Sequence, residues 1–508
     1  MKNPEYENLL YRRQFLLTGK KIDGLSSWKR YSLCKGTKIL HVHPDLDVVE
    51  LNENGRNMIF MGYIFDWQNP EYGNKRILQE ILKNQGFQNL VESTYEHSGR
   101  FVILYEDIEG CRIFHDAGGQ REVHYTVDED GVSCASQLPI MKKFMNIEDT
   151  DDKEALQLYS SKDFLKSKKQ WPGEFTIYKN VKCLRPNHYL DMKTGKSLRY
   201  WPVKPIEKIT LEEASDAAAL MIKGFMKACN NRKKLIVPVT AGWDSRLLLA
   251  ATRDIREEVE YFVIRFPHMS ERHVDITVPK RLMEKLGCRF EVININGCAD
   301  SEFERIFKCN TAYPREDNLA GIYGVFYKMF SDRMNISSHL SEVVRSYAGK
   351  MKSYAGKDLS EYIGYENLNG YVIRTCEDWI NKNAQVSRDM GIDLLTLFDW
   401  EESNWEASHR TETDIALEEY CPLSCRKLLE TMVSVRPEYR NKYECILYKE
   451  IMKRLWPQVL SEPVNPSLKR TLEGILVSKN LMYLLKKIKR RMRSVKRALK
   501  INNIKNKK

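Results

Sequence analysis

Long apolar runs are absent. Nothing in the 508 residues approaches the roughly 20 consecutive apolar residues that a membrane-spanning helix needs. The first twenty residues, MKNPEYENLLYRRQFLLTGK, mix charge throughout and hold no apolar core of a secretory signal. The expectation is a cytoplasmic protein. Closely spaced cysteine pairs are absent too. The twelve cysteines run singly from Cys34 to Cys445, and Cys421 and Cys425 have three residues between them, not the two of a common zinc knuckle or redox pair. Such cysteines are expected to be reduced and structural, with no disulfide and no metal–sulfur site. Two glycine-rich signatures are also missing: no GxxxxGK[ST] and no GxGxxG occurs, which excludes a Walker loop and a dinucleotide fingerprint. Acidic residues are missing from one stretch. Lys479 to Lys508 holds thirteen Lys or Arg and no Asp or Glu, and removing them from the net charge of +12 leaves the other 478 residues at −1. The basicity is therefore a tail. Leu481, Leu484, Leu485, Ile488, Met492, Val495 and Leu499 recur there at helical spacing, as in a basic amphipathic helix suited to an acidic membrane surface or nucleic acid. A solvated helix packed on its own body is the plainer alternative.

What is present is a globular composition, 42% apolar and 30% charged, long enough for two or three domains. Up to about residue 150, short runs rich in β-branched and aromatic residues follow one another: MIFMGYIF (58–65), RFVILY (100–105), CRIFH (111–115), EVHYTV (122–127) and GVSCAS (131–136). They read as strands of an antiparallel sheet, with a helix in RILQEILKNQGF between the first two. From about 210 helices alternate with strands: LEEASDAAALMIKGFMKACN, LIVPV (235–239), DSRLLLAATRDI, YFVIRF (261–266), ITVPKRLMEKLG and RFEVINI (289–295). That alternation means parallel βαβ units, whose ligand belongs at the carboxyl edge of the sheet. Residues 310–480 read as mainly helical.

The strand LIVPV runs straight into Thr240-Ala241-Gly242-Trp243-Asp244-Ser245 and a Leu-rich helix. Such a turn aims backbone N–H groups and the positive end of a helix at one point. Gly242 permits an unusual turn, and the hydroxyls of Thr240 and Ser245 add donors for phosphate oxygens. Asp244 cannot hold an anion; its natural task beside phosphates is to ligate Mg²⁺. An ordinary strand-to-helix turn capped by Asp244 or Ser245 is the plainer alternative.

The loop resembles the SGGxDS pyrophosphate motif of ATP pyrophosphatases, with Thr and Ala in the first two places, and its surroundings resemble the synthetase domain of asparagine synthetases. The resemblance implies an α/β, adenine-nucleotide α-hydrolase-like (Rossmann-like) domain over 206–478. There ATP would activate a carboxylate as acyl-adenylate, pyrophosphate would leave, and ammonia or an amine would attack to give an amide and AMP. By resemblance, Val239, Thr240, Ala241, Gly242, Asp244 and Ser245 contact the nucleotide, with Ile264 at the adenine position and Asp275 as the following acidic residue. Asp244 is the implied metal ligand. Where the family has GEGxDExxxGY, this chain has Ser337-Ser338-His339-Leu340-Ser341-Glu342-Val343-Val344-Arg345-Ser346-Tyr347. Glu342 is kept, Ser337 stands at the first nucleotide-contacting place, and Ser341 replaces the second magnesium ligand. Glu418 and Pro422 match the family's ExRxPF, which makes Glu342 and Glu418 the candidate catalytic residues. The family's lysine has no match at Glu462-Pro463; its role is vacant or moved to Lys469.

Residues 1–205 resemble the family's glutaminase domain, an Ntn-type layered sheet, in MGYIF, GRFVIL, HDAGGQREVHY and GVSCAS. That chemistry needs a cysteine directly after the initiator Met, where its α-amino group is the base. Position 2 is Lys and the first cysteine is Cys34, so glutaminase activity is not expected. Nitrogen would come from ammonia or an amine donor. Two rivals stay open: a nucleotide-binding pseudoenzyme, and a nucleic-acid-modifying enzyme using the tail. Among other residues, His41 and His43 could be two metal ligands on one strand face but read rather as solvent-exposed, His268 and His273 read as phosphate contacts, Arg265 and Arg315 as phosphate contacts or, more often, surface salt-bridge partners, and Trp400 and Trp405 as pocket lining or helix packing.

Overall fold

The computed structural model describes residues 4–295, 299–315, 319–345, 355–365, 369–402 and 404–466. The tail 479–508, Lys469, Ser346, Tyr347 and the side chain of Trp405 lie outside the described residues. Period-two alternation builds two antiparallel six-stranded sheets in the first 200 residues. One orders its strands as Val181–Cys183, His124–Asp128, Gly131–Ala135, Phe15–Thr18, Lys38–Val42 and Lys29–Leu33. The other runs Lys196–Arg199, His188–Asp191, Gly110–His115, His97–Asp107, Arg56–Asp66 and Val48–Glu53. Phe15, Leu17, Leu40 and Val42 of the first face Ile59, Met61, Val102 and Leu104 of the second. A one-residue slip in either sheet would turn these side chains out of the core.

The opposite face of the second sheet, with Met58, Phe60, Phe101 and Ile103, packs on the helices Asn74–Leu82 and Leu211–Asn230. The latter starts with a capping box between Thr210 and Glu213 and buries Ala214, Ala218, Ile222, Phe225 and Met226, apolar at the spacing of one helix face. Gly224 lies so close to this sheet region that a Cβ there would come within 2.4 Å of the Trp67 carbonyl oxygen. One apolar cluster runs from Met58 through this helix to Val459, so the core crosses the expected boundary at 205/206.

The expected parallel sheet is present, ordered Phe290–Asn294, Glu260–Arg265, Lys234–Pro238, Arg333–Ile336 and Glu418–Tyr420. The last two strands fall in the region read as mainly helical. They are only four and three residues long, too short for periodicity to reveal. The order reverses direction between Lys234–Pro238 and Arg333–Ile336, the switch point where such sheets open a crevice for ligands. With layered antiparallel sheets and a helix-flanked parallel sheet, the chain is α+β and α/β. Among the described residues no helix is long and apolar enough to cross a membrane.

Candidate functional site

The loop lies at that switch point. Val239 extends the ladder by donating to the Phe262 carbonyl at 2.8 Å, and the helix Trp243–Ala251 follows. Gly242 is its N-cap at φ −78° and ψ 165°, extended backbone open to any residue, which corrects the expectation of an unusual turn. Glycine matters here for space: a Cβ would meet Thr240 Oγ1 at 3.3 Å and Asn465 Oδ1 at 3.9 Å. The hydroxyls expected to point at phosphate brace the loop instead. Thr240 Oγ1 and Ser245 Oγ are 2.9 Å apart, Thr240 N donates to Ser245 Oγ at 3.1 Å, and Gly242 N donates to Thr240 Oγ1 at 3.2 Å. Ala241 N donates to Asp275 Oδ1 at 3.0 Å, so Asp275 reaches the loop. Gly242 brings no side chain to cap the helix Trp243–Ala251, whose first turn carries Asp244, and the positive end of that helix faces the loop.

Asp244 is held by a residue that sequence spacing did not single out. One terminal nitrogen of Arg345 lies 3.0 Å from Asp244 Oδ2, 3.1 Å from Glu342 Oε1 and 3.2 Å from Ser341 Oγ. Burial opposes the Arg345 charge, and Asp244 followed by Tyr448 and Glu342 outweighs it, holding its pKa above the ordinary guanidinium value. Burial, reinforced by Asp244, pushes the Tyr448 hydroxyl well above the usual phenol range. Glu342 itself is exposed.

A strap formed by residues 461–466 closes the other side. Fully buried Arg246 donates to the carbonyls of Glu462 and Pro463, the latter at 3.3 Å. Asn465 N donates to the Ala241 carbonyl at 2.8 Å. The Glu462 carboxylate pairs with Arg281 and Lys285 at 2.9 and 2.6 Å. A lysine does reach the loop, from the helix Ile446–Leu455: Lys449 Nζ lies 5.3 Å from the Trp243 ring centroid. No sequence motif marked it.

The other expected residues divide. Ile264 is half-buried on the neighbouring strand. Buried Ser337 follows the strand Arg333–Ile336 across the switch point; it donates its N–H to Tyr420 O at 2.8 Å and accepts from Arg410 at 2.9 Å. Glu418 is not brought to the loop. It stands level with Leu235 in the sheet register, roughly 13 Å along the strand before Val239, between Arg13 and Lys233 at 3.9 Å each. His273 caps the helix Val274–Leu286 by accepting from Asp275 N at 3.2 Å, and His268 stacks on Phe266. Arg265 pairs with Glu271 and Arg315 with Glu412. Trp400 is core, donating to the Ala117 carbonyl at 2.7 Å. His41 and His43, expected to be exposed, are buried: Leu16↔His41 is a pair inside the first sheet, and His43 packs edge-on against Trp28.

No α-amino group opens the strand Phe15–Thr18. The segment before it docks on the helix Ser301–Asn310, with Tyr11 N on Asn310 Oδ1 at 2.6 Å and Tyr6 stacked edge-on to Phe303. Cys34 sits in a hairpin turn, its N–H on Glu106 at 3.1 Å.

No protein-family model and no curated protein matches the chain. Among solved structures, it is similar to the glutamine-dependent NAD⁺ synthetase of Acinetobacter baumannii in complex with ADP, at 11% identity and a TM-score of 0.20 over 50% of this chain and 52% of that one. The chain thus spans about half the length of that synthetase. It is also similar to the NH₃-dependent NAD synthetase of Campylobacter jejuni, at 13% and 0.23 over 40% and 96%. A third likeness is to the glutamine phosphoribosylpyrophosphate amidotransferase of B. subtilis with ADP and GMP, at 11% and 0.23 over 73% and 88%. Superpositions this loose carry no functional weight.

Proposed function

We propose that the loop Thr240–Ser245 binds the phosphates of ATP in a protein of asparagine-synthetase type, and that the chain forms amides through an acyl-adenylate. In that reaction a carboxylate oxygen attacks the α-phosphorus and pyrophosphate leaves. Ammonia or an amine then attacks the acyl carbon and AMP leaves. The observation that carries the nucleotide reading is a helix N-terminus with a glycine N-cap at the switch point of the parallel sheet. Ile264 on one neighbouring strand and Ser337 just after the other flank it.

Magnesium would bridge phosphate oxygens to one or two carboxylates. As built, the loop does not fit that ion, because Asp244 is committed to Arg345 and Ser341 stands where a second carboxylate would help. Arg345 instead places a fixed positive charge beside the loop. This pairing favours a second reading, a nucleotide-binding scaffold without adenylation. The basic tail, read as a contact for an acidic membrane surface, is a separate proposal. Vesicles rich in anionic lipid should sediment the full chain at low salt and release it as salt rises.

Thermal unfolding of the full chain with millimolar ATP, in EDTA and in Mg²⁺, tests the reading. Saturation at about 100 times the dissociation constant stabilises by roughly 2.7 kcal/mol, a shift of about a few degrees. The wild type should shift in EDTA, and Arg345→Ala should shift only with Mg²⁺, because Asp244 is then left to repel phosphate. No wild-type shift under either condition removes the nucleotide from the loop. With binding established, AMP release across a panel of carboxylates separates the ligase from the scaffold.

A further inference from the structure

Sheet pairing assembles a second cluster far from the loop. Glu122 and His124 are two apart on one extended segment, so their side chains share a face. Cys183 is the cross-strand partner of His124 and lies on that same face. One donor atom from each of the three lies within 4.8 Å of the other two. All are buried, at 8, 6 and 7% exposure.

The outer partners of Glu122 and His124 leave donor atoms unspent, and Cys183 Sγ lies 3.8 Å from the Leu184 carbonyl oxygen. Gln137 Nε2 and Thr411 Oγ1, the latter at 3.2 Å, both donate to Oε2 of Glu122, which fixes the carboxylate without consuming Oε1. The backbone of Ser136 bears on the His124 ring, while its buried Nδ1 has no hydrogen-bond partner. Ring nitrogens and carboxylates anchored on one side and open on the other are the outer-shell pattern of metal ligands. A buried imidazole nitrogen left bare is otherwise unfavourable.

We infer that Glu122, His124 and Cys183 form a site for a late first-row divalent cation of the zinc class. Thiolate, imidazole and carboxylate suit that class and not Mg²⁺ or Ca²⁺, which take oxygen ligands. Zinc bonds of about 2.0–2.3 Å put tetrahedral ligands roughly 3.3–3.8 Å apart, so atoms within 4.8 Å of one another need to close by about 1.5 Å at most. Among the described residues no fourth His, Cys, Asp or Glu joins them, and a tetrahedral ion keeps one position for water or a small ligand. Binding releases the thiol proton of Cys183, and the proton that burial keeps on Glu122, to solvent. The expectation of no metal–sulfur site rested on cysteine spacing along the chain, and Cys183 comes 59 positions after His124.

The test uses the full chain stripped with chelator, re-exposed to zinc chloride and desalted. Elemental analysis should find about one zinc per chain in the wild type and none in Cys183→Ser or His124→Ala. Cobalt in place of zinc should give a sulfur-to-cobalt charge-transfer band that Cys183→Ser loses. Thr411→Val keeps every ligand and should weaken zinc binding by about 10- to 100-fold. A zinc-free wild type, or equal zinc in the wild type and Cys183→Ser, overturns the assignment. Should the variants not fold, the cobalt spectrum of the wild type decides alone, since no charge-transfer band means no thiolate ligand.

Discussion

Single charged and titratable residues in this chain are set by what faces them. At His188 the ring Nδ1 lies 2.9 Å from the Pro186 carbonyl. Burial pulls its pKa from the ordinary 6.5 down to about 4, with Glu401 opposing and Arg199 and Arg185 bearing on it as well. A histidine lowered in the folded state is protonated first in the unfolded chain, so it removes stability as pH falls from about 6.5 to about 4 and is without effect above that window. That shift corresponds to roughly 3 kcal/mol in full, and solvent screening of a half-buried ring cuts the loss to on the order of 1–2 kcal/mol. Buried carboxylates such as Glu122, raised to about 8 by burial against its two hydrogen-bond donors, act in the opposite direction, so the whole-protein profile blends both. Comparing wild type with His188→Gln isolates the one group. The variant's stability relative to wild type, from urea midpoints, should improve as pH drops from 7 to 4.5; a constant difference would show that His188 does not titrate there.

At the scale of elements, the loop and its helix depend on a strap remote in sequence. Arg246 is buried with its two terminal nitrogens on the carbonyls of residues 462 and 463. Burial pulls its pKa down to about 10, against the opposing pull of Glu462. Arg246→Met leaves those carbonyls unsatisfied, at about 1–3 kcal/mol, and frees the strap that donates from Asn465 to Ala241. Hydrogen exchange should then quicken in both 461–466 and 239–246. Quickening in neither would mean that the half-exposed Arg281 and Lys285 pairs with Glu462 hold the strap by themselves, which surface ion pairs rarely do. The same residues show what sequence could reveal. LIVPV, YFVIRF and RFEVINI were legible because apolar runs of that length between helices mark a parallel sheet, and the loop was legible because its residues are contiguous. Arg345, Arg246, Lys449 and Asn465 were not, since each reaches the loop from another element through tertiary packing alone. Glu418 sits in the right motif at the wrong end of its strand, which only the register Met334↔Glu418 discloses.

At the scale of the whole molecule the two halves are not separable bodies joined by a linker. The apolar cluster that begins at Met58 continues to Val459, and the contact between halves also carries buried charge. Arg100, on the strand His97–Asp107, binds Asp414 through both terminal nitrogens at 2.6 and 2.8 Å. Arg13 donates to the carbonyl of the same aspartate. Asp414 outweighs the effect of burial and holds the Arg100 pKa above its ordinary value. Removing one partner of such a pair leaves a buried charge uncompensated, at about 3–5 kcal/mol. A shared core and a shared ion pair both require that neither half unfold first. Calorimetry of the full chain should therefore show one endotherm for the wild type, and Arg100→Met should move that endotherm down by about a few degrees without splitting it. Two endotherms, only one of which responds to Arg100→Met, would mean that the core across 205/206 does not couple the halves.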